Sequence, residues 1–418
     1  MPRTAHGRIF FGLLAGAALG ALAHAWAPPS LLAALVRHLS QPLGQIFLRL
    51  LFMLVIPLVF AGLALGVCGL GDLRRLGRIG LKTLGCTVLL SGIAVVLGLV
   101  LVNTLRPGDG VSDVARAALT ADAASRAAGL GSAQAPQSGW ALLVGIVPDN
   151  PVKAAANGDM LAVMFFALMI GVGLSLTRTD AARRFEETLE GLYDVTMRLI
   201  GVVIGLAPLG VAALLFTLTA QIGWSVLLLL ARYALLVIGA LALHQFLVYG
   251  LAVRLLGGMS PVRFFRGIQA AMLTAFSTAS SSATLPTALR VAETGLGLPR
   301  HVSRFVLTLG ATANQNGTAL FEGITVLFLA QFYGVPLDLG QQGLVLFICI
   351  LGGIGTAGVP AGSLPVIAMI LGMIGVPVEG IGLVLGVDRL LDMCRTTVNV
   401  SGDLAIATIV ARGEPADA

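Results

Sequence analysis

The sequence predicts an all-α polytopic membrane protein, and three observations carry that prediction. Residues AVILMFWYC make up 57% of the 418 positions and DEKR only 11%, where a soluble domain is roughly a quarter charged. Apolar runs of bilayer-crossing length recur along the chain, divided by short basic or glycine- and proline-containing breaks. The 53 glycines and 18 prolines suit membrane helices, which tolerate both and pack closely through small residues. This composition excludes an ordinary cytosolic enzyme and a disordered or nucleic-acid-coating chain. The net charge of +6 is read as basic residues that set topology, not as a nucleic-acid footprint.

The first apolar segment spans about 9–26, and Pro28-Pro29 turns the chain into a short amphipathic stretch. The start of this segment lacks a convincing cleavage site, so it is expected to be retained. The second spans about 43–70 and ends at Asp72, Arg74, Arg75, Arg78 and Lys82. The third, about 83–102, stops at Arg106-Pro107-Gly108, and 108–138 reads as an aqueous loop. Residues 139–176 are too long for one crossing and are interrupted at Pro148, Pro151 and Gly158, which predicts a broken or re-entrant path. Segments at about 197–220 and 223–250 follow.

Basic residues cluster at 3–8, 74–82, 178–184, 254–266 and 300–304. All fall on one side if the N-terminus is cytoplasmic, with Arg37, Arg116 and Arg126 as exceptions on the outer side. Counting segments then gives eight transmembrane helices plus two re-entrant helical hairpins, with both termini cytoplasmic.

The second half contains one plan twice: an apolar arm, a small polar tip, another apolar arm, and a helix with polar residues halfway. The first block holds the Ser/Ala tip at 277–284 and the patch from Asn314 to Thr318. The second holds the Gly tip at 352–363 and the helix with Asp392, Arg395, Asn399 and Asp403. On the topology above the two hairpins enter from opposite faces, so the repeats are inverted. Lipid cannot satisfy an unwound backbone, so such tips need protein or a wet cavity around them. Freed amides favour anions and freed carbonyls favour cations; close packing by small residues is the structural alternative.

The last helix carries the strongest signal. At about 100° per residue, Asp388, Arg395, Asn399 and Asp403 all lie within about 60° of Asp392. Charges on one stripe of an apolar helix face a cavity or a partner. One reading is a structural ion-pair network of Asp388, Arg395 and Asp392. The other is functional. Arg395 forks a substrate carboxylate, Asp392 accepts from an ammonium, and Asp388 steadies the guanidinium. Asn399 donates to a second carboxylate, and Asp403 offers a hard oxygen to a small cation. Glu322 is either a proton-linked group or a packing residue. The cysteines (68, 86, 349, 394) and the histidines (6, 24, 38, 244, 301) show no ligand spacing; no cofactor and no catalytic residue is expected, and the chain is read as not an enzyme.

With these residues in view, the chain resembles the dicarboxylate/amino acid:cation symporter family, the glutamate/aspartate transporters. The likeness covers about 5–412 and rests on SSSATLP at 280–286, NQNGT at 314–318, GIGTAGVP at 353–360 and DRLLDMCRTTVNVSGD at 388–403. Inverted repeats are an established feature of that family. The resemblance implies an elevator-type homotrimer in the lipid bilayer, a bacterial inner membrane being expected. It divides the chain into scaffold helices 1–2 at 1–77, transport-domain helix 3 with an extracellular loop at 78–137, and scaffold helices 4–5 at 138–220. Helix 6 of the transport domain follows at 221–257, the transport core at 258–412, and a cytoplasmic tail at 413–418.

By motif, the resemblance assigns Arg395 and Thr318 to the substrate side-chain carboxylate, and Asp392 with Thr396 to the α-ammonium. It assigns Asn399 and Ser281 to the α-carboxylate, Val359 and Ser363 to closure from the second hairpin, and Asp388 to support of Arg395. One sodium site would use Asp403 with carbonyls of Gly310, Asn314 and Asn399; another would use carbonyls of Thr312, Gly353, Ile354 and Thr356. A third is degraded: Asn316 stands where the family has an acid, and Thr87 and Leu90 replace a tyrosine and a threonine beside Ser91. Ala279 stands where archaeal members have an arginine, and Met393 and Cys394 do not supply the second arginine of the animal branch.

The expected function is secondary active symport of L-aspartate or L-glutamate with sodium. Two alternatives stand within the class: proton coupling, and a C4-dicarboxylate substrate. Asp392 favours an amino group over a plain dicarboxylate. An anion-conducting channel is the alternative of another class.

Overall fold

A computed structural model describes residues 5–69, 78–110, 147–157, 160–223, 225–355 and 363–414, and all regular structure among them is helical. The protein is an all-α, membrane-associated fold. Two described helices are individually long and apolar enough to cross a bilayer, Ile79–Leu105 and Val226–Leu255, and the bent pair Asp180–Val203 and Ala207–Gln221 makes a third if taken as one span.

In chain order, α1 is Ala5–Trp26, and Pro28-Pro29 starts α2, Pro29–Leu35. One π turn, Val36–Ser40, leads into α3, Gln41–Phe52. The chain turns at Met53 and Leu54 before α4, Val55–Gly69. The segment expected to run through 43–70 is therefore two helices. Pro57 lies in the first turn of α4, where a missing N–H costs least. Then come α5, Arg78–Leu105, α6, Pro151–Asn157, and α7, Met160–Leu176. The interruption expected near Gly158 falls between α6 and α7, outside the described residues. The loop expected at 108–138 lies mostly outside the described residues.

Helix α8, Asp180–Gly205, begins well before the segment expected at 197, and meets α9, Ala207–Ile222, at 58°. Pro208 sits at the start of α9, where it cannot supply a donor to α8. Helix α1 lies along α9. Gly12, Gly16 and Gly20 form its contact stripe: a Cβ on any of them would collide with the backbone of Pro208, Ala212 or Phe216.

Helix α10, Ser225–Leu243, passes through a π turn, His244–Val248, into α11, Tyr249–Leu255. After α12, Pro261–Gly267, the first hairpin follows. Its arms are α13, Gln269–Thr278, and α14, Ser281–Arg290, packed on each other. The irregular tip is narrower than the 277–284 expected. Only Ala279 (φ 48°) and Ser280 leave the helix, because the Ser280 hydroxyl caps α14 by accepting from the Ala283 N–H at 3.2 Å.

Helix α15, Arg300–Ala313, stops at Asn314 and Gln315, and α16, Asn316–Tyr333, resumes beyond them. The second hairpin has arms α17, Leu339–Gly355, and α18, Ser363–Met373; the rest of its tip lies outside the described residues. The unbroken α19, Ile381–Ala411, is 31 residues long. The core gathers around α16 and α19: α5, α10 and both hairpins pack on one or both. Tyr233 of α10 stacks on Phe328 of α16 with ring centroids 4.5 Å apart, and its hydroxyl meets that of Thr325 at 2.7 Å.

Candidate functional site

The site is built where the α15–α16 break meets the middle of α19. A helix start leaves its first N–H groups without intrahelical partners. Asn399 of α19 supplies them: its Oδ1 accepts from the N–H of Gly317 at 2.8 Å and of Thr318 at 3.3 Å. Its Nδ2 donates to Gln315 Oε1 at 2.5 Å and to Thr318 Oγ1 at 3.0 Å. One side chain thus closes both ends of the break. Gly317 permits the approach, since a Cβ there would strike the Arg395 carbonyl oxygen.

One turn along α19, Arg395 is buried between two carboxylates. Its Nη1 reaches Asp388 Oδ1 at 2.9 Å, and its Nη2 reaches Asp392 Oδ1 at 2.9 Å. The guanidinium lies 4.4 Å from the centroid of the Phe321 ring, a cation–π arrangement. Arg389 Nη1 holds the other oxygen of Asp392, Oδ2, at 3.3 Å. Asp388, Arg395, Asp392 and Arg389 therefore form a row of alternating charge with no net charge. Each ion loses several kcal/mol of hydration on burial, so charge balance and multiple hydrogen bonds make this row tolerable. Thr396 is buried next to Arg395. The arrangement is an ion-pair network, and its guanidinium is also a fork able to exchange one carboxylate for another.

Asp403 lies beyond Asn399. Asn314 Nδ2 donates to its Oδ1 at 2.8 Å, and the carboxylate fills the space a Cβ at Gly310 would need. Asn314 Oδ1 is buried without a hydrogen-bond partner. An orphaned oxygen beside a carboxylate and a helix end with freed carbonyls is a donor set suited to a hard cation. Gly353 of α17 faces the same break, its Cβ position 3.6 Å from the Gln315 carbonyl oxygen. Thr312 and Ile354 lie in the last turns of α15 and α17, while Thr356 and Val359 lie outside the described residues. No cluster of three or more His, Cys, Asp or Glu side chains suited to a metal occurs among the described residues.

Two of the residues read as a degraded third cation site, Ser91 and Asn316, hold each other. Ser91 donates to Asn316 Oδ1 at 2.5 Å, Asn316 Nδ2 donates to the Tyr249 hydroxyl at 3.0 Å, and that hydroxyl donates to the Val398 carbonyl at 3.2 Å. A carboxylate at 316 could not make the donation to Tyr249. Thr87 and Leu90 are buried on the same helix as Ser91. Each hairpin also presents a buried hydroxyl without a hydrogen-bond partner, Ser281 at the start of α14 and Ser363 at the start of α18. Both arms pack on α19.

The structure gives contacts to three residues to which the sequence assigned no individual role. Gln315 and Tyr249 enter through contacts between distant helices, which carry no local signal. Arg389 had one: it falls about 60° from Asp392 on the helical wheel, as close as Arg395 does.

Buried, mutually compensating charges beside a helix broken in the core describe a membrane transporter. The chain belongs to the sodium:dicarboxylate symporter family, whose pattern matches residues 6–413. It is a family of transporters, not of enzymes. The chain is 33% identical over 414 residues to the proton/glutamate-aspartate symporter of Escherichia coli K12, covering 97% of this chain and 92% of that one. It is also 33% identical over 410 residues to the proton/sodium-glutamate symport protein of Geobacillus stearothermophilus, covering 97% and 94%. The C4-dicarboxylate transport protein of Anaeromyxobacter sp. strain K is 33% identical over 392 residues, covering 92% and 87%.

Proposed function

We propose that the protein is a secondary active symporter that moves L-aspartate or L-glutamate with sodium across a bacterial inner membrane. The observation that carries this reading is the Arg395 fork, buried between Asp388 and Asp392 one turn from Asn399 and the α15–α16 break. An acidic amino acid brings one ammonium and a side-chain carboxylate. It can replace the Arg395–Asp392 pair with two new pairs, Arg395 to the carboxylate and Asp392 to the ammonium, while Asp388 keeps its hold on Arg395. Thr318 would assist the first and Thr396 the second. Asn399 and Ser281 would take the α-carboxylate, and Val359 and Ser363 would close from the second hairpin.

Sodium would be carried on Asp403 with carbonyls of Gly310, Asn314 and Asn399, a role supported by the orphaned Asn314 Oδ1. A second ion would use carbonyls of Thr312, Gly353, Ile354 and Thr356. The hydrogen-bonded chain through Ser91, Asn316 and Tyr249 supports the loss of a third site. Cation binding that orders the second hairpin would link ion and solute binding. In this reading the chain makes eight crossings and two re-entrant hairpins as inverted repeats. It is a homotrimer with cytoplasmic termini, and 78–137 and 221–412 slide as the transport domain against scaffold segments 1–77 and 138–220. Uptake of labelled aspartate, glutamate, serine and succinate into proteoliposomes, under imposed sodium or proton gradients, tests it. Sodium-driven accumulation of the two acidic amino acids is expected. Steady anion current without accumulation would replace the symporter with a channel, and preference for succinate would replace the amino acid with a C4-dicarboxylate.

One observation favours proton coupling as a second reading. Glu322 of α16 is fully buried with neither carboxylate oxygen hydrogen-bonded, and its Oε2 faces Gly352 of the second hairpin. An unpartnered buried charge is costly, so a proton that travels with the substrate has a seat there. Under this reading Glu322→Gln abolishes uptake driven by a pH gradient while substrate binding persists. Equal pH-driven uptake in the variant would dismiss Glu322 as the carrier.

A further inference from the structure

Arg389 is unused in the scheme above, yet it is charged, four-fifths removed from solvent and in contact with a proposed substrate ligand. Its side chain is 19% exposed against 5% for Asp392 and 2% for Arg395. Its Nη1 contacts Asp392 Oδ2 at 3.3 Å, and its Nε is buried without a hydrogen-bond partner. Asp392 therefore has two guanidinium partners of unequal quality. Arg395 holds Oδ1 at 2.9 Å and is itself anchored by Asp388. The Arg389 contact is longer and more exposed.

From this geometry we infer that Arg389 is a specificity-determining residue, competing for Asp392 with the ammonium of the substrate. The inference rests on the reading that Asp392 accepts that ammonium. An incoming ammonium meets a carboxylate already satisfied at Oδ2, and a fixed positive charge beside it. Like charges at this separation, in surroundings less polarisable than water, repel appreciably. A solute without an amino group meets no such competitor, and its carboxylates gain from the same positive charge. Arg389 thus narrows the gap between acidic amino acids and plain dicarboxylates of the same length. The effect works on the difference between two affinities, which is what specificity is.

The test is competition binding of aspartate and of succinate to the purified full chain, for wild type, Arg389→Gln, Arg389→Lys and Asp392→Asn. The quantity read is the ratio of the two affinities. Arg389→Gln is expected to raise the aspartate-to-succinate ratio about tenfold, a modest electrostatic effect on this scale. Arg389→Lys keeps the charge on a shorter, single-point donor, and is expected to raise the ratio by less than the glutamine variant. A purely structural role would weaken both ligands together and leave the ratio alone. An unchanged or lowered ratio in Arg389→Gln overturns the inference, as does an equal rise in the two Arg389 variants. If the glutamine variant does not fold, the lysine variant decides: a ratio at or below wild type overturns it. Asp392→Asn separates the two layers. It should bring the ratio toward one; a ratio unmoved by that variant removes the ammonium reading of Asp392 and this inference with it. A collapsed ratio in Asp392→Asn with no response at Arg389 removes this inference alone.

Discussion

The two hairpin–helix blocks share a plan in sequence but bring opposite materials to the site. In the first, the helix after the hairpin is broken at Asn314 and Gln315, and what it offers is uncharged: the N–H groups of Gly317 and Thr318, the carbonyls freed at the end of α15, and the neutral side chains of Asn314, Gln315 and Thr318. In the second, α19 runs unbroken for 31 residues and offers charged side chains from Asp388 to Asp403. A continuous helix spends its backbone N–H groups on itself, so it contributes mainly side chains, with a carbonyl such as that of Val398 accepting a second bond. A broken one can present polar groups without any charge. The contact between them is complementary for that reason: a carboxamide of α19 caps the helix that α15 failed to continue.

Removing Arg395 should break this arrangement most severely. Arg395→Ala leaves Asp388 and Asp392 buried on one stripe without their shared cation. Stripping one partner from a buried ion pair costs about 3–5 kcal/mol, so a large fall in thermal stability of the purified chain is expected. Aspartate uptake should disappear. Because the demand for a second carboxylate goes with the guanidinium, the same variant tests whether serine is then accepted. Aspartate uptake at the wild-type level would show that the charged half of the comparison has no part in transport.

The two halves are unequally legible in the sequence. The stripe on α19 follows from helical spacing alone, and the structure pairs Asp388, Arg395 and Asp392 along it as neighbours one or two turns apart. The presence of an unusual polar patch at 314–318 is also visible. Its use is not: Gln315 meets a residue 84 positions away and Asn316 one 67 positions away, and pairing between helices leaves no mark on local periodicity. The Ser/Ala tip reads as wider in sequence than it is because serine is a poor helix former in mid-helix, whereas Ser280 at a cap position starts a helix. Arg389 shows the reverse case, a residue within reach of the wheel calculation that a search for the strongest fork passes over.

Asn399 tests the junction between the blocks with a smaller expected effect. Asn399→Ala deletes four hydrogen bonds and leaves the N–H groups of Gly317 and Thr318 buried at an uncapped helix start. Unmade buried hydrogen bonds cost about 1–3 kcal/mol per group, and relaxation around the break should hold the total near the low end, about 2–3 kcal/mol. The drop in thermal stability should lie between those of Arg395→Ala and of a single hydrogen-bond deletion. A drop as large as that of Arg395→Ala would mean that the backbone half of the site, not the charged half, dominates its stability.

The smallest effect is expected at Tyr249, where the broken helix is held by a chain of neutral groups. Tyr249→Phe keeps the ring against His244, with centroids 4.6 Å apart in the native protein. It removes the hydroxyl that accepts from Asn316 and donates to Val398. Two modest hydrogen bonds are lost, and the net cost should be about 1–2 kcal/mol. If the Ser91–Asn316–Tyr249 chain stands in place of a cation, the number of ions moved per substrate must not change when it is cut. Parallel fluxes of labelled substrate and sodium in proteoliposomes measure that number. A lower ion count in Tyr249→Phe would mean that the hydroxyl had been holding a transported ion, and that the neutral half of the site carries charge in transit after all.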